Sequence, residues 1–274
     1  MGLKDALGSM HRCLGKHAAV VHVAVKIRNQ CNGIIRYHLG EDNDVQKNGE
    51  AWLADVVGRS ASTFIDVGAN VGEWAALFMN AMPNGTGVLI DASSQAVRAI
   101  AERFRNEPRI NVIHAAVSDT PGEAEFFEES NSGKTSSLLR SFTNSTAHKK
   151  IVRVTTVDAE AKAHNVTQID MLKIDAEGYD LHVLRGASGL LSQQAIGVVQ
   201  FEYNSCWADI GSTLGAAINL LRSHQYDVYL LKSTGLVPVN YRYFGEFFEY
   251  SNFVGVAPHK KNLFPSLPGQ TESL

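Results

Sequence analysis

The sequence predicts an α/β fold built on a doubly wound, largely parallel sheet, and three observations predict it. From Ser62 onward, short β-branched runs alternate with longer, amphipathic, Ala- and Leu-rich segments, the pattern of βαβ units. The stretch "FIDVGANVGEW" (Phe64 to Trp74) sets a glycine-rich turn between one such run and the next helical segment. A second apolar run, in "IDMLKIDAEGYD", also breaks into acids at its end. With 274 residues, 45% of them hydrophobic, the chain is long enough for one large core, or one domain with an appendage.

Taken in order, residues 1–60 show no strand alternation and read as a helical extension or cap with a polar turn, "GEDNDVQKNGE". Residues 61–258 form the main domain. Strands are expected at Thr63–Val67, Val88–Ile90, Asn111–Ala116, Ile169–Ile174, Gly197–Phe201, Asp227–Leu231 and Asn252–Ala257, each a short β-branched or apolar run. Helices fit Gly72–Met82, Ser94–Arg105, Ala159–His164, a stretch between Asp180 and Gln193, and Ser212–His224. Residues 121–150, rich in Ser, Thr, Asn and Glu, read as a lid or binding loop, because so long a connection is otherwise rare in a compact domain. The polar, Pro-containing tail 259–274 is expected to fray.

Composition narrows the function. A net charge of −3 gives no electrostatic case for a nucleic-acid or membrane partner. Cys13, Cys31 and Cys206 are scattered, with neither disulfide-framework nor metal-ligand spacing, which fits a reducing, cytoplasmic setting. "AAVVHVAV" is too short to span a bilayer. "MGLKDA" opens like a myristoylation site but has Ala6 where Ser or Thr is needed.

The glycine turn carries a charge argument. A strand–glycine turn–helix junction brings backbone close to a ligand, and in dinucleotide-binding folds it holds a pyrophosphate. Asp66, at the end of the first strand, would repel phosphates. It suits a ligand with a cationic end and no phosphate, such as S-adenosylmethionine; the plainer alternative is that it ends a strand and caps a turn. In "GVLIDAS", Asp91 stands at the tip of strand two, where ribose hydroxyls are gripped, with a helix cap as the alternative. Ser118 and Asp119, after strand three, fall at the same edge, where an adenine amino group is read or a turn is made.

The second acidic stretch puts Asp175 and Glu177 at the carboxyl end of a buried central strand, facing the same crevice as Asp66 and Asp91. Lys173 is read as their structural counter-charge. On the next strand Glu202 and Asn204 either line an acceptor pocket or pair with a nearby base. His182, just past the cluster, is a modest candidate base, and His114 reads as a hydrogen-bonded core histidine. Ser136 and Ser137 either close over the site or fill a loop. Trp74 and Met79, at helical spacing, read as core.

Together "FIDVGANVGEW", "AAVSD", the "SSL" loop, "VTTVD" and "MLKIDAEGYD" resemble the FkbM family of S-adenosylmethionine-dependent methyltransferases, over roughly Gly49 to Asn204. The resemblance implies the class I methyltransferase (Rossmann-like) fold, a doubly wound seven-stranded sheet whose last strand is antiparallel. It implies that Asp66, Gly68, Asn70 and Gly72, with Glu73, hold the methionine part and that Asp91, followed by Ala92, holds the ribose. Ser118 and Asp119 then lie near adenine, and Asp175 and Glu177 beside the methyl and its acceptor. Two departures stand out: many members have Glu-Pro where this chain has Asp91-Ala92, and the usual "VEG" is "AEG" here.

The expected activity is O-methylation of a hydroxyl on a small molecule, a natural product or a sugar, with S-adenosylhomocysteine as product. Candidates for the base are Glu177 and Asp175, then His182 and Glu202, because a crowded acidic crevice raises a carboxyl pKa toward neutrality. A divalent ion bridging Asp175 and the acceptor oxygen is left open, since hard oxygens favour Mg²⁺, but no complete metal-ligand set stands out and no metal is predicted; a homodimer is also left open. The alternatives are N-methylation of an amine, a non-catalytic module that binds adenosine ligands, and an NAD-dependent dehydrogenase. Asn70 in place of the second glycine of G-x-G-x-x-G, and the charge of Asp66, count against the last.

Overall fold

A computed structural model of the chain describes residues 2–40, 42–129, 137–138, 143 and 147–264. Ser136, the middle of the expected lid (residues 130–136, 139–142 and 144–146) and the tail beyond residue 264 lie outside these residues. By its internal contacts the chain divides into two compact units between Gly40 and Glu41. The first consists of α1 (Leu3–Leu14) and α2 (Ala18–Leu39). The second contains everything described from residue 42, including α3 (Glu50–Gly58), which the sequence groups with the N-terminal extension but which packs on α4 (Glu73–Ala81).

The second unit is a mixed sheet between helices. β1 (Thr63–Val67), β2 (Thr86–Asp91) and β3 (Ile110–His114) are followed by β4 (Ala116–Val117), β5 (Gly122–Glu128) and β6 (His148–Thr155). Then come β7 (Ile169–Ile174), β8 (Ile196–Tyr203), β9 (Asp227–Lys232), β10 (Gly235–Pro238) and β11 (Ser251–Val256). The main sheet runs β10-β9-β11-β8-β7-β1-β2-β3. β1, β2, β3, β7 and β8 pair in parallel, and β11 lies antiparallel between β8 and β9. This is the doubly wound class I methyltransferase arrangement, with the order of strand addition reversing between the parallel neighbours β1 and β7. Among the described residues the sheet has eight strands rather than seven, because β10 pairs antiparallel with β9 at the edge.

Local chemistry explains the elements. β7 and β8 are buried along almost their whole length, as strands covered on both faces are, and so read as continuous apolar runs. Asp170, the exception in β7, accepts from Ser62 N–H at 2.7 Å and pairs with Lys260 at 2.7 Å. α5 (Ser94–Arg103) and α10 (Leu214–Ser223) start at Ser93 and Thr213, whose hydroxyls accept from backbone N–H groups of their first turns. Phe64, Trp74 and Phe78 stack in the core, Trp74 and Phe78 with centroids 5.1 Å apart, and Met79 is buried beside them.

Three expectations are corrected. Residues 122–128 and 148–155 are strands, β5 and β6, which form a small second sheet with β4. The helix expected between Asp180 and Gln193 is two, α7 (Asp180–Arg185) and α8 (Ser188–Ser192). At Gly186, between them, a Cβ would lie 2.1 Å from the Ser118 carbonyl oxygen, so the chain passes too close to β4's exit for a longer helix. The start of the expected frayed tail is anchored: a 3-10 helix over Pro258–Leu263 leads to Phe264, which is buried in the core.

Candidate functional site

The exit of β1 lies against the exit of β7 because residue 68 has no side chain. A Cβ on Gly68 would sit 1.8 Å from the Asp175 carbonyl oxygen, and its φ of +78° is left-handed. The two acidic strand ends are thereby brought to one place. Gly68 and Ala69 both donate to the Ile90 carbonyl, and Asn70, left-handed at φ 49°, donates its N–H to Asp91 Oδ2 at 2.8 Å. Asp91 Oδ1 accepts from Ser93 N–H at 2.7 Å. The capping alternative for Asp91 falls instead on Ser93, whose hydroxyl caps α5.

Two cavities adjoin at this point and share Gly68, Asn70, Asp175 and Glu177. The first, of about 90 Å³, runs past Asp91 and Ala92 and is walled by Val117, Phe126, Leu138 and Tyr179. The second, of about 660 Å³ and partly open to solvent, reaches Asp66, Glu73, Trp74, Glu202, Asn204 and Tyr250. Of the charged residues lining it, seven are carboxylates and one, Lys173, is a cation.

Asp66 is 1% exposed, and neither carboxylate oxygen has a hydrogen-bond partner among the described residues. Burial pushes its pKa up to about 7, with the attraction of Lys173 only partly offsetting it. Lys173 Nζ is committed elsewhere, to Asp175 Oδ2 at 3.1 Å. Burial opposes its charge, but Asp175, Glu50 and Asp66 outweigh that and hold it protonated. The expected structural pairing of Lys173 is thus observed.

A buried, unpaired carboxyl has a consequence for stability. The folded-state pKa of Asp66 exceeds the unfolded value, so its contribution is fully present below about pH 4 and is lost as pH rises through about 7. Asp66→Asn is therefore expected to stabilise the ligand-free protein by up to roughly 4 kcal/mol at pH 8, and by less than half of that near pH 5. Denaturant melts of both proteins at the two pH values check this; a difference independent of pH would contradict it.

Beyond Asp66, Asp175, Glu177 and Glu202 each place an oxygen within 4.8 Å of the others. The same spacing is compatible with a shared cation. Burial and the neighbouring Asp175 and Asp180 raise Glu177 to about 9, and burial with the same neighbourhood raises Glu202 well above its ordinary range. Asp180, fully buried, is raised to about 7 by burial and Asp175; its Oδ1 accepts from Glu202 N–H at 3.2 Å. Glu177 has a left-handed φ of 49°, a conformation that a residue of its type rarely adopts. Its carbonyl accepts from Ser137 Oγ at 3.2 Å, so Ser137 is at the site rather than loop filler.

Several expected residues lie elsewhere. Ser118, Asp119 and His182 line neither cavity. After Val117 the chain turns to follow β6, with Ser118 N–H on the Thr155 carbonyl, which carries Ser118 and Asp119 off the edge of the main sheet. His182 Nδ1 meets Asp119 Oδ2 at 2.9 Å, and the two occupy each other. Gly72 shapes the loop without lining a cavity: at φ +73°, a Cβ there would meet the Phe104 ring at 2.7 Å. His114 is exposed at the end of β3, its Nε2 3.0 Å from the Ala92 carbonyl, and is not a core residue.

Two carboxylates escape sequence reasoning. Glu50, from α3, lines the second cavity and accepts from Asn48 and Gln200. Glu128, from β5, is buried and accepts from Ser93 Oγ at 2.8 Å, from Gln95 N–H, and from Lys150. Burial raises its proton affinity, but Lys150 and these donors bring its pKa down to about 2. It ties the small sheet to the loop that follows Asp91. Neither residue belongs to a motif; the one signal is an acid amid apolar neighbours, Glu128 following two phenylalanines.

The family model described as Methyltransferase FkbM domain matches residues 66–228. Among solved structures, a methyltransferase FkbM from Methylobacillus flagellatus KT is 12% identical with a TM-score of 0.44, the match covering 72% of this chain and 44% of that one. This chain therefore spans less than half of that protein's length. Fibrillarin of Aeropyrum pernix with natively bound S-adenosyl-L-methionine is 12% identical, covering 76% and 73% of the two chains, with a TM-score of 0.42. An O-methyltransferase from Bacillus cereus in complex with SAH is also 12% identical, covering 83% and 87%, with a TM-score of 0.41. No curated protein matches the sequence.

Proposed function

The chain belongs to the FkbM methyltransferase family, and we propose that it transfers a methyl group from S-adenosylmethionine to a hydroxyl of a small molecule, a natural product or a sugar. The observation that carries this reading is Asp66: a buried carboxylate without a hydrogen-bond partner among the described residues, on the wall of a cavity, at the mouth of a glycine turn. Such a group calls for a cation or a donor, and it would repel the pyrophosphate of a nicotinamide cofactor.

The residues present fit the cofactor. The first cavity offers Asp91 for ribose hydroxyls and the apolar walls Val117, Phe126 and Leu138 for a flat ring. Asp66 and Asn70, on the far side of Gly68, offer a carboxylate and a backbone turn for the amino-acid end. When bound, S-adenosylmethionine supplies a methyl group activated by its sulfonium. The chain then has to align an acceptor and take its proton. Glu177, at the junction of the two cavities, is placed for that task, with Asp175 and Glu202 beside it. Alignment alone accounts for about 7–11 kcal/mol of such barriers in favourable cases.

The carboxylate-rich second cavity supports one further reading, methylation of an amine, since a cationic acceptor matches its charge. Incubation with methyl-labelled S-adenosylmethionine and paired acceptors, hydroxylated sugars and polyketides beside their amino counterparts, separates the two. Label on oxygen is the expected result. Label confined to nitrogen would replace it with the second reading.

A further inference from the structure

The net charge of −3 conceals a division. Residues 2–40 carry six cations, Lys4, Arg12, Lys16, Lys26, Arg28 and Arg36, against one anion, Asp5. That is a net of five positive charges, and so the rest of the chain carries a net of eight negative ones. The division by charge coincides with the division into compact units.

The same forty residues expose aliphatic surface in a helical pattern. No side chain from Gly2 to His38 is buried. In α1, Leu3, Leu7, Met10 and Leu14 recur at helical spacing on one face, and all are exposed, Leu3 by 80%. Lys4, His11 and Arg12 fall on the other side. In α2, Val20, Val23, Ile27 and Ile34 share one arc, exposed by 38 to 73%, with Lys26 on its flank and His22, Asn29 and Arg36 across from it; Val21, Val25 and Ile35 are exposed outside that arc. No described helix is long and apolar enough to cross a membrane. An amphipathic pair with a basic polar face is the form that lies in an interface rather than spanning it.

We propose that residues 2–40 are a membrane-surface anchor: a basic pair of helices that seats its aliphatic surface in an anionic lipid bilayer. Charge complementarity selects this occupant. Pairing of this segment with its counterpart in a second copy would set five positive charges against five, whereas anionic headgroups bring the opposite sign together with an apolar layer for the aliphatic face. The exposed apolar residues are aliphatic and spread over both helices, with Tyr37 the one exposed large aromatic among them. A protein partner usually demands aromatic anchors gathered in a packed centre. The proposal does not depend on the methyl-transfer reading.

Cosedimentation of the full chain tests it, using vesicles of phosphatidylcholine alone and of phosphatidylcholine mixed with phosphatidylglycerol. The protein is expected to sediment with the mixture and to be released about tenfold by pure phosphatidylcholine or by high salt. Ile27→Glu with Ile34→Glu should lower binding at least about tenfold by charging the inserted face. Lys16→Glu with Lys26→Glu leaves the aliphatic face intact and should erase the preference for phosphatidylglycerol. Circular dichroism verifies that both variants keep their helices. Failure to sediment with either vesicle, binding indifferent to phosphatidylglycerol, or binding unaffected by the isoleucine changes would each overturn the proposal. A stable lipid-free dimer lost on those isoleucine changes would also overturn it, in favour of a second copy.

Discussion

Asp91→Ala is expected to abolish S-adenosylmethionine binding while leaving the protein folded. The Asp91 carboxylate already accepts from Asn70 and Ser93 N–H groups, one on each oxygen. A carboxylate has about four acceptor positions, so two remain for ribose hydroxyls. Each such charge-assisted bond contributes about 1.5–3 kcal/mol, which for two bonds corresponds to a loss of roughly 10²–10⁴-fold in affinity. Folding should survive because Ser93, not Asp91, caps α5, and Glu128 still holds Ser93. Burial raises the Asp91 pKa to about 6, partly offset by those two N–H groups. The accepting form is the ionised one, so wild-type affinity should fall as pH drops below about 6. An alanine variant that binds S-adenosylmethionine as the parent does would remove Asp91 from the ribose site.

The second large effect is at Glu177. With its pKa raised to about 9, it holds a proton at neutral pH in the ligand-free protein. A positive sulfonium beside it favours the ionised form. Binding of S-adenosylmethionine should therefore release a proton, and S-adenosylhomocysteine, with a neutral sulfur, should release less. Calorimetry in buffers of different ionisation enthalpy measures this directly. Glu177→Gln should abolish the difference between the two ligands, leave affinity within a few fold, and slow single-turnover transfer about 10²–10⁴-fold, the usual contribution of a general base. An unchanged single-turnover rate would exclude Glu177 as the base.

What was legible in the sequence follows from chemistry. The acids Asp66, Asp91, Asp175 and Glu177 each end a run of buried apolar residues. In an open α/β sheet such ends face one crevice, so these positions could be read from order alone. Fold class was legible for the same reason, through the alternation of runs and amphipathic segments. β5 and β6 were not, because Glu123 and Glu125 alternate with residues facing the small sheet's core and give the stretch a loop-like composition. β10, four residues at a sheet edge, is shorter than periodicity can detect. His182 and Asp119 were misplaced because their separation from the crevice depends on how the chain leaves β4, which pairing with β6 decides. Glu50 and Glu128 are set by tertiary packing, Glu50 through Asn48 and Gln200 and Glu128 through Lys150 and Ser93. The net charge of the whole chain hides the basic character of residues 2–40, because opposite charges on its two units cancel in the sum.

The central claim is that Asp66 and Asp91 make this cavity a site for a cationic nucleoside cofactor. Calorimetric titration of the protein with S-adenosylmethionine, S-adenosylhomocysteine and NADH in parallel tests it most directly. Saturable, stoichiometric binding of the first two and none of NADH is the predicted result. Binding of NADH alone would mean that the Asp66 carboxyl tolerates a pyrophosphate, and the proposed methyl transfer would be contradicted.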